Sequence, residues 1–317
     1  MRALRIGTVW PLDDDGAAPA VEAEALRALV VRVAATHGWG LGAAEPTGGT
    51  GWAGLTWLGE VSDDAAAPPG TAAGHAPAVT TLRAAAATLG ADVAVTTGPL
   101  ASEGPALVVT DVDSTFVDAE AIDLLAARAG ALDAVAALTE RAMRGELDFA
   151  ESLRERVATL AGLPGAVLDE VRAHMALMPG SRELVAALHA RGTPIGLVSG
   201  GFAELVVPLA AELGIDLVRA NHLELGPSRE LTGRTRAEVV DARVKARTLR
   251  EWARATGADP ARVVAVGDGA NDLDMIAAAG IGIAFCAKPL VRERADATVS
   301  FPRLDAVLGL LGLGAPR

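Results

Sequence analysis

Four short apolar runs, Ala106 to Thr110, Pro194 to Val198, Val263 to Val266 and Ile281 to Ala284, constrain this chain most, because each ends in polar residues and is followed by a helix-compatible stretch. Runs that are apolar throughout suit strands buried on both faces, and their alternation with helices predicts a doubly wound parallel α/β sheet. In such sheets ligands bind beyond the carboxyl ends of the strands. The residues placed there are Asp111 and Asp113 after the first run, Ser199-Gly200-Gly201 after the second, and Gly267-Asp268-Gly269-Ala270-Asn271-Asp272 after the third.

The first hundred residues have a different texture. Arg2 to Trp10 reads as a strand, Val21 to His37 as a helix, Trp39 to Thr47 and Ala53 to Val61 as strands, Val79 to Leu89 as a helix and Asp92 to Thr96 as a strand. Between them Asp63 to Pro77 has the Ala, Pro and Gly content of a loop, and Gly98 to Pro105 reads as a linker. The order βαββαβ resembles a small α+β ferredoxin-like unit of the kind called an ACT domain. No ligand motif accompanies it, so a structural or dimerising appendage stands equally, and a homodimer is left open. The expected division is residues 1–102 for this unit and 103–317 for the sheet domain, with a helical cap inserted at about 117–178. The chain's 317 residues exceed a comfortable single core, which agrees with two units.

A net charge of −12 argues against nucleic-acid binding, which relies on many Lys and Arg contacts. No apolar run approaches the roughly 20 residues of a membrane span. The single cysteine, Cys286, allows no internal disulfide, so the cytoplasm is the expected location. The five histidines are scattered without metal spacing, and Gly48-Gly49-Thr50-Gly51 lacks the Lys-Ser of a nucleotide loop.

Singly, each motif has an ordinary reading. Asp111 and Asp113 could form an acidic turn, Ser199-Gly200-Gly201 a plain turn, and Lys245 a solvated charge. The acidic cluster from Asp268 is no calcium loop, since the position that should hold the closing glutamate is Ala279. Together and in this order they resemble the haloacid dehalogenase superfamily of phosphotransferases. Asp111-Val112-Asp113-Ser114-Thr115, Ser199-Gly200-Gly201-Phe202, Gly267 to Asp272 and Ala284-Phe285-Cys286-Ala287-Lys288-Pro289 are similar to the wording of its phosphoserine phosphatases, over roughly Ala106 to Pro302.

The resemblance implies hydrolysis of O-phospho-L-serine to L-serine and phosphate, the last step of serine biosynthesis, with Mg²⁺ as cofactor and a small molecule as partner. Phosphate monoesters need rate enhancements approaching ~10²¹-fold, which calls for charge neutralisation beside a positioned nucleophile. Asp111 is the expected nucleophile and Asp113 the general acid and base. Asp111, Asp268 and, through the family resemblance, the Asp113 carbonyl would hold the metal, with Asp272 behind them. Lys245, Ser199 and Gly200 would hold the transferring group, and Asn271 would orient substrate or Lys245. The insertion reads as helices Ala119 to Ala129, Asp133 to Arg144, Asp148 to Leu160 and Pro164 to Met175. An amino-acid substrate needs one acid and one base, and Glu120, nine residues past Asp111, and Arg156 occupy the positions the resemblance assigns. Met143 and Phe149 would wall the pocket. Three other functions fit less of the sequence: hydrolysis of another monoester, transfer to an alcohol acceptor, and a silent sensor of serine.

Overall fold

The computed structural model describes residues 1–13, 23–62 and 77–314. The loop expected from Asp63 to Pro77 and the first two residues of the first helix lie outside these residues, except for Pro77 itself, which opens a helix. The first unit is built from β1 (Arg2–Pro11), α1 (Ala23–Thr36), β2 (Gly40–Leu41), β3 (Glu45–Gly49), β4 (Trp52–Val61), α2 (Pro77–Thr88) and β5 (Asp92–Thr97). The expected strand over Trp39 to Thr47 is two pieces, and both pair antiparallel with β4. The sheet order is β2-β4-β1-β5, with β3 also on β4, which is the ferredoxin-like arrangement. The Gly48 to Gly51 stretch is a hairpin turn closing β3 on β4, with Gly49 opposite Trp52.

This sheet is apolar on both faces. Alternate residues of a strand point to opposite sides. Leu4, Ile6 and Trp10 of β1, Leu55 and Trp57 of β4, and Val93 and Val95 of β5 pack with Leu26, Val30 and Leu82 of the helices. Val9, Trp52 and Ala94 face the other way and join the core of the second unit. Their cover is the last helix of the chain, α13 (Ala306–Leu310). A Cβ at Gly7 would run into the Leu310 carbonyl, so only glycine lets the helix backbone lie on β1. Trp52 Nε1 donates to Asp305 Oδ2 at 2.8 Å, and Arg5 donates to the carbonyls of Ala101 (2.7 and 2.9 Å) and Gly312 (3.1 Å). The expected linker is a packed helix, α3 (Pro99–Glu103), with Leu100 and Ala101 buried. The flanking Gly98 and Gly104 are the residues that read as a linker, while Pro99 in the first turn and contacts with β1 support the helix between them.

The second unit carries β6 (Leu107–Thr110), α4 (Ala121–Ala129), α5 (Leu132–Met143), α6 (Phe149–Ala158), α7 (Val167–His174), α8 (Ser181–His189), β7 (Ile195–Phe202), α9 (Ala203–Glu212), β8 (Leu217–Leu225), β9 (Leu231–Arg236), α10 (Ala242–Thr256), β10 (Val263–Gly267), α11 (Leu273–Ala278), β11 (Ile281–Phe285), α12 (Pro289–Arg294) and β12 (Ala297–Val299) before α13. Its sheet order is β12-β11-β10-β6-β7-β8-β9. All neighbours pair parallel except β8 with β9. Strands β6, β10 and β11 are buried along their whole length, as two-sided cover requires. The helices α4 to α7 form the inserted cap, close to the four expected, and β9 supports α6 from the sheet edge, where the Leu231 carbonyl accepts from Gly162 N at 2.8 Å.

Because one apolar core spans both units, heating should unfold them in a single transition. Gly7→Ala is expected to destabilise by about 1–3 kcal/mol through overpacking against Leu310, read as a lowered midpoint in calorimetry. Two separate transitions would show that the units are independent.

Candidate active site

The central strand β6 pairs with β10 on one side and β7 on the other, with Thr110 opposite both Val266 and Leu197. Residues following the three strands therefore converge. Asp111 leaves β6 between the loop bearing Asp268 and the bend in β7 bearing Ser199. This is the point at which connections run to opposite sides of the sheet, where α/β folds bind ligands.

Below it lies a buried cation. Asp241 caps α10, its Oδ1 accepting from Val244 N at 2.8 Å, and the next residue of that turn is Lys245, fully buried. Its Nζ donates to Asp111 Oδ1 at 2.6 Å and to Asp272 Oδ1 at 2.7 Å. Burial works against the Lys245 charge, but Asp111 and Asp272 outweigh it and hold the ammonium above its usual value. Burial and then Asp272 push Asp111 well above the usual carboxylate range, against the pull of Lys245. Asp268 is pushed up to about 6 by burial and by Asp272. Thr115 Oγ1 donates to Asp268 Oδ1 at 3.1 Å.

Carboxylate oxygens of Asp111, Asp268 and Asp272 lie within 4.8 Å of one another. A single ammonium among three carboxylates leaves surplus negative charge in a desolvated place. An all-oxygen donor set of this charge fits a hard divalent cation. The carboxylate of Asp113 points elsewhere: Oδ1 accepts from Ala121 N at 2.8 Å and Oδ2 from Ser199 Oγ at 3.0 Å. Burial raises Asp113, with those hydrogen bonds opposing. Ser199 Oγ accepts in turn from Gly201 N at 2.7 Å, and a side chain at Gly201 would strike the Asp113 carboxylate. Ser114, between the motif's second aspartate and Thr115, holds a left-handed φ of 56°. Such strain in a non-glycine residue is tolerated where surroundings over-determine it, often at functional sites.

A cavity of about 760 Å³ opens above these groups, between the strand ends and the cap. Asp111, Asp113, Gly200, Asp268 and Asn271 line its floor, and Glu120, Phe149 and Arg156 line it from the cap side. Glu120 Oε1 accepts from Ser114 Oγ at 2.7 Å, and burial followed by the nearby Asp113 raises its carboxyl to about 7. Lys245 and Ser199 lie just beneath the surface, fully buried. Asp111, Asp113, Glu120, Arg156, Gly200, Asp268 and Asn271 thus share one cavity, with Ser199 and Lys245 bonded to Asp113 and Asp111 of its floor. Asn271 lines the cavity and is not among the partners of Lys245, whose acceptors are Asp111 and Asp272. The side chain of Met143 lies outside the described residues. Sequence reasoning missed Asn221, buried on β8, whose Nδ2 donates to the Gly200 carbonyl and whose Oδ1 accepts from Val240 N, both at 2.8 Å. It fastens the glycine bend to the entry of α10. Its only signal, a polar residue within a strand, was hidden because β8 itself went unread.

A buried carboxylate and ammonium at the carboxyl ends of a parallel sheet, beneath a helical cap, place the chain among capped α/β hydrolases. The family model of haloacid dehalogenase-like hydrolases matches residues 108–277, and the chain belongs to that family. It is 55% identical over 222 residues to the phosphoserine phosphatase SerB2 of Mycobacterium tuberculosis, covering 70% of this chain and 54% of that one, so it spans little more than half the length of that relative. It is 52% identical over 210 residues to the phosphoserine phosphatase of Streptococcus thermophilus, covering 66% of this chain and 97% of that one. A solved phospho-aspartyl intermediate analogue of phosphoserine phosphatase superposes with a TM-score of 0.61 at 38% identity, covering 64% of this chain and 97% of that one.

Removing Lys245 would leave two buried carboxylates facing each other. Lys245→Ala should lose about 3–5 kcal/mol of stability in urea titrations without divalent cation, the range for breaking a buried ion pair. A loss under 1 kcal/mol would mean that the triad is solvated.

Proposed function

We propose that this chain is a Mg²⁺-dependent phosphoserine phosphatase working through an aspartyl-phosphate on Asp111. The observation that carries the proposal is that Glu120 and Arg156 line the same cavity as Asp111 and Asp113. A carboxylate and a guanidinium are the complements of an ammonium and a carboxylate, and the guanidinium fork can grip a carboxylate in two places. The names of the two relatives and the solved analogue support the same substrate and intermediate.

In this reading a carboxylate oxygen of Asp111 attacks phosphorus, and the bond from phosphorus to the serine oxygen breaks. The departing oxygen takes the proton of Asp113, which burial keeps on that carboxyl to a higher pH than usual. Asp113, now ionised, takes a proton from water as the water oxygen attacks phosphorus. The bond from phosphorus to Asp111 then breaks, releasing inorganic phosphate and restoring both groups. Lys245 anchors Asp111 in position, and Ser199 with the Gly200 N–H stabilises the transferring oxygens. Mg²⁺, held by Asp111, Asp268 and the Asp113 carbonyl, would offset the charge of carboxylate and phosphate as they meet. Asp272 stands behind, on Lys245 and Gly269 N.

The division into residues 1–102 and 103–317, with the cap at about 117–178, belongs to the same proposal. So does a cytoplasmic location; among the described residues no helix is long and apolar enough to cross a membrane.

Phosphate release from L-phosphoserine in Mg²⁺, with EDTA, other monoesters and Asp111→Asn alongside, tests the proposal. Activity should be confined to phosphoserine and vanish in both controls; broad activity would discard the substrate, and activity surviving Asp111→Asn the mechanism. Asp113→Asn should lower kcat by about 10²–10⁴-fold, the usual contribution of general acid–base catalysis. Glu120 must be ionised to pair with the substrate ammonium, so kcat/KM should rise as pH passes upward through about 7 and fall below it. Glu120→Gln should flatten that part of the profile; an unchanged profile would remove Glu120 from substrate binding.

A further inference from the structure

The cavity lining holds two cations that the proposed chemistry does not use, Arg243 at the start of α10 and Lys288 before α12. Lys288 is exposed and has no ion-pair partner among the described residues. Asp123, Asp241 and Asp274 line the same cavity and would repel a phosphate dianion. An ammonium at that rim would offset the repulsion. Lys288 is the N-cap residue of α12, a helix of six residues, too short to hold its shape without outside contacts.

Val291 of α12 and Ala295 at its end pack with Ile276 and Ala284 of the same unit, and further contacts come from the N-terminal unit. Arg83 on α2 donates to the carbonyls of Ala295 (2.7 Å) and Arg292 (3.2 Å) and to Thr298 Oγ1 (3.4 Å), closing the far end of α12. Asp92 at the start of β5 is buried and accepts from Ser300 N (2.7 Å) and Oγ (2.8 Å) just past β12. The preceding Val299 carbonyl accepts from Cys286 N at 2.8 Å. Cys286, two residues before Lys288, holds a left-handed φ of 44°. Docking of the two units is otherwise secured at Trp52, Gly7 and Arg5, on α3, α13 and the residues beyond it. Arg83 and Asp92 are spent on the segment 286–300 alone.

We propose that the N-terminal unit is part of the entrance to the site: Arg83 and Asp92 are positioning residues that fix the segment 286–300 so that Lys288 meets the phosphate of the incoming monoester. The proposal rests on the reading of the chain as a phosphate monoester hydrolase. A lysine has a long flexible stem, so where its backbone is held decides where its charge can act. The accessory unit then contributes to substrate capture without touching substrate.

A double-mutant cycle tests this. Wild type, Lys288→Ala, Arg83→Ala and the double variant are compared on L-phosphoserine with Mg²⁺, after circular dichroism shows that each is folded. Lys288→Ala should raise KM about fivefold with kcat within about twofold, the scale of a partly exposed charge pair. Arg83→Ala should raise KM about threefold, less in Arg83→Lys, and add nothing in the Lys288→Ala background. Additive effects, or an unchanged KM in either single variant, would overturn it. The same proteins are titrated calorimetrically with inorganic phosphate in Mg²⁺. If wild type binds phosphate without turning over phosphoserine, the substrate reading fails and the phosphate cycle decides the positioning role; if it binds no phosphate, the positioning role fails as well. Should Arg83→Ala not fold, Asp92→Asn takes its place in the cycle with the same expected pattern.

Discussion

The Lys245 ammonium, shared between Asp111 and Asp272 with no exposure to water, sets the terms for everything around it. A buried charge is tolerable only with partners in good geometry. That geometry is supplied by three independent elements: the helix α10 carrying Lys245, the end of β6 carrying Asp111 and the turn after β10 carrying Asp272. Parallel pairing of β6 with β10 keeps two of them in register, and the Asp241 cap fixes the first turn of α10. The arrangement leaves negative charge in excess. It is this surplus, desolvated and aimed at one point, that suits the cluster to a hard cation.

Asp113 is placed next to this cluster but outside it, on the amide of Ala121 and the hydroxyl of Ser199. The separation divides labour between two carboxylates that are one residue apart in sequence. One is tied to a permanent cation, while the other is held by neutral donors and raised by burial. Burial raises both carboxyls, and what distinguishes Asp111 is the ammonium bonded to it, which favours its ionised form against that burial.

The floor of the site was legible because its residues follow apolar strands directly, where pattern and chemistry coincide. Strands β6, β10 and β11 are fully buried and, apart from Thr110, carry no polar side chain, so their boundaries and the residues after them could be placed from sequence. Glu120 and Arg156 were found through resemblance alone; as residues on amphipathic helices they carry no signal of their own. Strand β8 has no regular alternation of buried and exposed residues and carries Arg219, Asn221 and His222 in its middle, so it escaped notice together with the hold of Asn221 on Gly200. Three-residue β12 is too short to register. The supposed linker failed for a related reason. Leu100 and Ala101 are buried by contacts with β1, nearly a hundred residues earlier, and local composition cannot report a partner that distant.

The seating of α13 on the first sheet has a consequence for how the chain is made. The apolar face bearing Val9, Trp52 and Ala94 is complete by residue 97, yet its cover is residues 306–310. During synthesis that face must wait through some two hundred residues, at roughly 5–20 residues per second, before its partner emerges. A sheet made well before α13 is therefore sealed only when α13 appears, and the interval leaves Trp52 uncovered. A shielding partner in the cell, or rapid burial against other parts of the growing chain, becomes a requirement of the topology and not an accident of expression.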